Sequence, residues 1–541
     1  MNKLKITPLG GLGEIGINMM AYQFGDDILV VDMGYGFPKI PSINHIIPNS
    51  DWLVENKHRI RGIVITHGHM DHIGAIPYIL PRLGFPPIYS LPLTIGLIKK
   101  RLEEFNLNGS AKCISVQVDD QIQLGAFKVR FFRVNHSIPD AVGLSILTPS
   151  GQVIHTGDWK LDYTPGDDHP AELAKLLGFS EQGVLALLSD STNAPRPGFS
   201  ISEKQIAETI DNTFKQATNR IIFTCNALIL TRIQQVFNIA AKHNRQVAVI
   251  GRSMINNIEV ASRLGYLKIK PGTMIKMETA KRLPGHRTVI LTTGAQGEEL
   301  ASLPRMARGE HRDIRLKKGD TVIISANPIP GNERTVNEMI QMLSELGVTL
   351  VYSRILDIHV SGHAKQSELK LLIDLVKPQF FIPIHGEHHM LVAHRALAEE
   401  LGIPTDNVFV MDNGKTLELD KDGAKILPEL IDTRYHYADD LGSGFIDPEL
   451  LEEQEAMQND GIVSIVMPLN KQSRALTGQA TIASRGFVYV KGNEGLFREL
   501  GHDLGKMSVE ITDETIVQHA QQYLFARTGR RPMIVPAIIE V

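Results

Sequence analysis

The 541-residue chain has almost no cysteine, only Cys113 and Cys225, far apart and without a CxxC or Cys/His spacing. That excludes a disulfide framework and a thiolate zinc site, and suits a reducing cytoplasm. It has no run of eighteen apolar residues, so no membrane span is expected. The opening MNKLKITPLGG has no apolar stretch behind its lysines, and no signal peptide is expected. Low-complexity tracts and internal repeats are missing as well. An excess of positive charge is lacking too, since the net charge is -4. A polyanionic partner would therefore have to be attracted locally rather than by the field of the whole molecule. The basic cluster Arg305, Arg308, Arg312, Arg315, Lys317 and Lys318 reads as a solvated loop and helix end.

A chain of this length exceeds one compact core, which implies two to four domains. The first stretch, 1–198, alternates β-branched runs such as DILVVDMG, GIVITHGH and FKVRFFRVNH with Gly-rich turns and short helices. Histidines at the strand ends suggest a layered α/β sandwich. Over 199–372 strands and helices alternate, from a helix capped by Ser202 onward, which implies a parallel sheet inserted as its own domain. Residues 373–435 return to the first pattern, the acidic, turn-rich 436–460 reads as a linker, and 461–541 as a small α+β domain.

The strongest chemical signal is THGHMDHIGA. His67 and His69 stand two apart just after an apolar strand and project to one side. Asp71 and His72 follow at a helix start, giving a dense set of nitrogen and oxygen ligands for zinc or manganese. The rival reading, a histidine-rich polar loop, does not account for HxHxDH at a strand end, where α/β sheets place ligands. His136, Asp158 and His385 also end strands, and an aspartate such as Asp158 can bridge two cations. His388 and His389 read as ordinary loop histidines.

Asp32 in VVDMG, the HxHxDH cluster, His136 and Asp158 together resemble the metallo-β-lactamase superfamily, without the ligand cysteine of a lactamase proper. The roughly two hundred residues between Asp158 and His385 resemble an inserted β-CASP domain, whose marks fall on Asp190 (SDSTNA), His363 (VSGHA) and His385 (PIHGE). The third histidine resembles the RNA-processing rather than the DNA-repair branch. GGLGEIGINM, GRSM, TTGAQGE, NPIPGNE and ASRGFVYV further resemble the ribonuclease J family, over nearly the whole chain. One departure is FTCNALILTR, which keeps Arg232 but puts Asn226 and Leu228 where the family has Phe and Ser, so RNA contacts there are in doubt.

The resemblance implies a metallo-β-lactamase αββα sandwich with an inserted β-CASP domain and a small C-terminal domain. It implies a ribonuclease that degrades RNA from the 5′ end and cuts internally, in RNA processing and decay in the cytoplasm. Two divalent ions are expected, zinc before manganese: one on His67, His69 and His136, the other on Asp71, His72 and His385, with Asp158 shared. Asp71 would orient or deprotonate water. His363, beside Ser361 and Gly362, would hold the scissile phosphate with Asp190 orienting it. His359 is open between phosphate contact and structure. Ser253 is open between holding a terminal phosphate and capping a helix, and Arg232 is a candidate RNA contact. GGLGEIG is read as turns rather than a nucleotide loop, because no acid follows at the required distance. Partners implied are RNA and a second copy, as homodimer or homotetramer, or a paralogue in a heteromer, with no membrane. The alternatives are a catalytically weak partner subunit, a DNA-directed β-CASP nuclease, and a small-molecule thioester or lactam hydrolase. Retention of every ligand, His385, and the size of the insertion argue against these in turn.

Overall fold

The computed structural model describes residues 2–37, 43, 45–107, 109–298, 301–327, 332–352, 360–438, 445–446, 448–471, 476–487, 494–507 and 511–540. They divide into two compact units, 1–36 with 46–435, and 37–45 with 436–541.

In the larger unit two mixed sheets face one another. One has eight strands, running from Gly423–Leu430 through Leu4–Gly10, Met19–Phe24, Asp27–Val31 and Ile60–Val64 to Cys113–Ser115. The other has six, in the order Phe380–Ile384, Ala186–Asp190, Gly151–His155, Val142–Thr148, Phe127–Arg133 and Gln121–Leu124. Alternate side chains of both sheets meet in one core, with Tyr22, Leu29 and Val64 from the first and Phe131, Leu144 and Val153 from the second. A second core, with Leu369, Leu372, Ile373 and Phe381, lies under the helices Gln366–Val376 and His388–Glu400. His388 and His389, expected in a loop, instead open that last helix.

The chain leaves this sandwich after Ala186–Asp190 and returns on Phe380–Ile384, its parallel neighbour, with Asp190 opposite Ile384. The two ends of the insertion are thus held side by side. Between them lies a six-stranded sheet whose strand pairs are all parallel, ordered Met274–Ile275, Gln246–Val249, Thr288–Thr292, Ile221–Thr224, Thr321–Ile324 and Thr349–Tyr352. Its buried, β-branched strands alternate with helices such as Glu203–Gln216, Leu230–Lys242 and Glu333–Glu345, as parallel crossovers require. Ser202 caps the first of these helices, its hydroxyl accepting from the Lys204 amide at 3.1 Å.

The smaller unit holds a sheet ordered Thr481–Arg485, Ile462–Leu469 and Met533–Glu540, packed through Val463, Ile465 and Met467 against helices Glu494–Leu504 and Asp513–Thr528. The expected linker is in part a helix, Pro448–Asp460. Proline fits a helix's first position, and the Glu, Leu, Gln and Met residues that follow are good helix formers, so acidity alone misread the stretch. No helix of the described residues is long and apolar enough to cross a membrane.

Candidate metal centre

The strand ends of the two sheets converge on one cluster. His67 follows Ile60–Val64, and Asp71 and His72 lie in the short helix Met70–Ile73. His136 follows Phe127–Arg133, Asp158 follows Gly151–His155, and His385 follows Phe380–Ile384. Glycine makes room for this: a Cβ on Gly34 would stand 1.5 Å from the carbonyl oxygen of Asp71.

Three groups of ligand atoms meet at Asp158, each with its atoms within 4.8 Å of one another: His67, His69 and His136; Asp71, His72 and His385; and Asp190, His363 and His385. The first two are the expected ligand sets. Within the first set His67 Nε2 is 3.1 Å and His136 Nε2 3.0 Å from His69 Nδ1, and Asp158 Oδ2 is 3.8 and 3.7 Å from the same two Nε2 atoms. In the second, Asp71 Oδ2 is 3.5 Å from both His72 Nε2 and His385 Nε2, while Asp158 Oδ2 is 3.3 Å from His72 Nε2. Tetrahedral zinc at 2.0–2.1 Å from each ligand would hold them about 3.3–3.4 Å apart. These spacings suit ligands grouped around a cation better than a hydrogen-bonded cluster. Two buried polar atoms, Asp158 Oδ1 and His385 Nε2, have no hydrogen-bond partner, which a buried group tolerates poorly unless something else is bound. The cluster therefore suits divalent metal binding.

A further layer fixes the imidazoles. Asp32 Oδ2 is 2.8 Å from His72 Nδ1, and its other oxygen accepts from the Thr66 amide at 2.8 Å. Asp32 holds φ 62°, a left-handed strain of the kind found at functional sites. His136 Nδ1 donates to the Gly362 carbonyl at 2.8 Å. Asn18 Nδ2 lies 3.2 Å from the Asp71 carbonyl and 3.1 Å from His72 Nε2. Thr192 meets His385 and Asp190. Thr66, Thr192 and Asn18 were missed from sequence, although each lies in or beside a stretch already singled out, THGH, SDSTNA and GINM.

Electrostatics separates the two sets. Burial pushes His67 and His136 well below the usual histidine range and His69 to about 4, assisted by neighbouring imidazoles, which favours the neutral rings that metal ligation requires. Burial opposes charge on His72 and His385 too, but surrounding carboxylates outweigh it, Asp158 foremost, raising His385 to about 10. Burial likewise opposes charge on Asp71 and Asp158, yet the histidines hold both well below the carboxylate range.

Asp190 Oδ2 accepts from His363 Nδ1 at 2.8 Å, and the His363 ring stacks on His385 at 5.3 Å. The insertion's exit and return are cross-tied here, Asn193 Nδ2 donating to Ser361 Oγ and to the His363 carbonyl, both at 2.9 Å. Gly362, expected at phosphate, thus offers its carbonyl to a candidate ligand, and Ser361 orders the loop. His359 lies outside the described residues.

Two expectations are corrected. Ser253 is not a cap: Gly251, at φ 103°, precedes the helix Arg252–Arg263, and Ser253 is exposed within its first turn. Arg232 does not face RNA. It is 1% exposed and donates to Glu203 at 2.8 Å, to Gln235 at 2.9 Å and to Ser325. A guanidinium so desolvated requires that carboxylate, and a phosphate has no access to it. In the altered segment Asn226 serves a local turn, accepting from the Leu228 amide at 2.9 Å and donating to Gln296 at 2.7 Å.

A two-sheet sandwich with metal ligands at its strand ends and a parallel-sheet insertion closing the ligand set defines a metallo-β-lactamase-type hydrolase. Family models match accordingly: the metallo-beta-lactamase superfamily over 12–205, the ribonuclease J beta-CASP domain over 218–343, a Zn-dependent metallo-hydrolase RNA specificity domain over 350–410, and the ribonuclease J C-terminal domain over 449–541. The chain belongs to the ribonuclease J family. It is 38% identical to ribonuclease J 1 of Streptococcus pyogenes serotype M3 over 99% of this chain and 98% of that one. It is 40% identical to ribonuclease J of Thermus thermophilus over 99% and 95%, and 35% identical to ribonuclease J2 of Bacillus subtilis over 99% of each. A crystal structure of a protein of unknown function from Enterococcus faecalis V583 shares the fold, with a TM-score of 0.55 and 18% identity over 77% of this chain and all of that one.

Proposed function

We propose that the chain is a metal-dependent ribonuclease that hydrolyses RNA phosphodiester bonds with two divalent ions, zinc before manganese, working from the 5′ end and also cutting internally. The observation that carries this reading is the meeting of two complete ligand sets at Asp158. Two ions held by His67, His69 and His136 and by Asp71, His72 and His385, with Asp158 between them, would lower the pKa of water towards neutrality and offset charge on a phosphate oxygen.

The chain's own groups do the rest. Asp71, whose side chain is 29% exposed and held ionised by His72 and His385, orients the attacking water and accepts its proton. His363 is 18% exposed. Burial opposes its charge, but Asp190 and Asp158 raise it above the usual histidine range. With Nδ1 on Asp190, its Nε2–H is free to donate to the scissile phosphate and stabilise charge developing there. Asp190 positions it, as a carboxylate behind a histidine does.

RNA is the substrate in this reading, in RNA processing and decay in the cytoplasm. Direction of attack and assembly into a homodimer, homotetramer or heteromer with a paralogue rest on family membership. The test is digestion of RNA labelled at its 5′ end, bearing a mono- or triphosphate, with zinc or manganese, beside His67→Ala and a matched single-stranded DNA. Labelled mononucleotide from the monophosphate RNA, absent with the variant, is the expected result. No cleavage by a chain carrying both ions would assign it the role of partner subunit. Preferential cleavage of DNA would overturn the RNA assignment.

A further inference from the structure

Four candidate ligand imidazoles are anchored at Nδ1. His72 uses a carboxylate and His136 a backbone carbonyl, both of which only accept. His67 and His385 each meet a threonine hydroxyl, which can both give and take, His67 at 3.1 Å from Thr66 Oγ1. Thr192 Oγ1 lies 2.8 Å from His385 Nδ1 and 2.8 Å from Asp190 Oδ1. The same Asp190 oxygen accepts from the Thr192 amide at 3.0 Å and lies 3.3 Å from His385 Nδ1.

The proton positions follow from the acceptors. A carboxylate can only accept, so the hydroxyl proton of Thr192 points to Asp190, the competing His385 carbonyl being farther at 3.4 Å. The hydroxyl's lone pair then receives the Nδ1–H of His385. In the singly protonated ring that metal ligation requires, the proton is thus on Nδ1 and the lone pair on Nε2, which is buried, without a hydrogen-bond partner, and 3.5 Å from Asp71 Oδ2. His385 itself sits at φ 52°, so its backbone is held in a conformation that side-chain contacts must maintain.

We infer that Thr192 is a positioning residue that fixes the tautomer and ring orientation of His385, so that Nε2 faces the ion shared with Asp71 and His72. This rests on the two-ion reading of the site. Asp190 thereby divides its work, one oxygen serving His363 and the other serving Thr192 and His385. Asp190, the last residue of the strand that exits the sandwich, and Thr192, two residues on, thus set a ligand that directly follows the strand that returns.

The test is zinc binding by the full-length chain, with zinc per chain measured directly and each affinity by competition with a chromophoric chelator. Thr192→Val is expected to keep one ion at wild-type affinity and to weaken the other by about 10–100-fold, the usual cost of losing a partner behind a metal ligand. Thr192→Ala, which removes the same hydroxyl without filling its space, weakens the same ion. Thr192→Ser, which restores the hydroxyl, returns it to within about threefold. RNA cleavage by the valine variant falls at low zinc and recovers at high zinc, which a general packing defect would not do. Wild-type chain binding fewer than two ions would sink the two-ion reading. Two ions bound unchanged by the valine and alanine variants, or both ions weakened alike, would overturn the role of Thr192 alone.

Discussion

The larger unit buries two clusters of charge that differ in how they are neutralised. Around Arg232, two cations meet two anions: Arg232 on Glu203 at 2.8 Å, and Lys160 at 3.6 Å from Asp162 and 3.8 Å from Glu203. Asp162 also accepts from the Glu203 amide at 2.8 Å, so the cluster is closed in charge, although Lys160 Nζ itself makes no hydrogen bond among the described residues. At the strand ends Asp32, Asp71, Asp158 and Asp190 are buried or half-buried, and the ion-pair partners found for them are histidines alone. Among the described residues no lysine or arginine pairs with these carboxylates; their partners are imidazoles, which can give up a proton to make way for a metal ion. A cluster balanced by permanent charges belongs to the fold; one balanced only by exchangeable protons is suited to bind a cation.

The largest effect expected from breaking this contrast is at the shared ligand. Asp158→Ala should lose both ions and reduce RNA cleavage by at least about 10³-fold, on the order of 4 kcal/mol of barrier, while far-ultraviolet circular dichroism is unchanged. Stripping the wild type with a chelator should do the same reversibly, and retained activity would refute metal dependence. In the closed cluster, Arg232→Met should leave zinc content intact but cost about 3–5 kcal/mol by stranding the Glu203 carboxylate, read as a lower unfolding midpoint. Loss of RNA affinity without loss of stability would restore Arg232 as an RNA contact. Gly362→Ala is smaller and local. Its Cβ would stand 2.4 Å from His136 Cε1 and 2.5 Å from Nδ1, so the ring must move. The ion on His67, His69 and His136 should weaken by about 10–100-fold, the other staying in place; equal weakening of both would show that the sets are not independent.

The same contrast explains what could be read in advance. HxHxDH and the residues ending the later strands were legible because strand ends in layered α/β folds are where ligands gather. The parallel insertion was legible from alternation of β-branched runs with helices. Arg232 was misread because a motif shows which residues are retained and not what they face; its partners Glu203 and Ser325 lie 29 and 93 residues away. Thr192 escaped for the converse reason, and Gly362 was read for phosphate and not for its carbonyl on His136. A threonine beside an aspartate signals nothing locally, and its partner His385 is 193 residues distant. The carbonyl that anchors His136 belongs to backbone, which no side-chain pattern reports. The helix within 436–460 was hidden by composition, where acidity suggested a linker although the residues favour helix.

Acid should separate the two clusters again, by the slope of stability on pH. Near the metal centre lie two buried histidines outside the ligand sets. His155 Nδ1 is 2.8 Å from the Tyr22 hydroxyl and burial lowers the group to about 4; His394 Nδ1 is 3.0 Å from Ser191 Oγ and burial lowers it to about 3. Above pH 6.5 both are neutral whether the chain is folded or not, and neither affects stability. Below it the unfolded chain takes up protons that the folded chain refuses, so stability falls as pH drops, by about 1 kcal/mol per pH unit for each histidine until the folded value is reached. The ligand histidines of the zinc-free chain, some lowered and some raised, add slopes of both signs, so the contribution is read by difference in urea unfolding between pH 7 and 5. His394→Asn, which can still bond Ser191, should lose less stability over that range than the wild type. Arg232→Met should lower stability but shift the slope the opposite way, because the stranded Glu203 carboxylate is relieved of its charge by protonation as pH falls. A decline that steepened in Arg232→Met instead would mean that the closed cluster is the acid-labile one and that the histidine-rich shell is not where the fold yields.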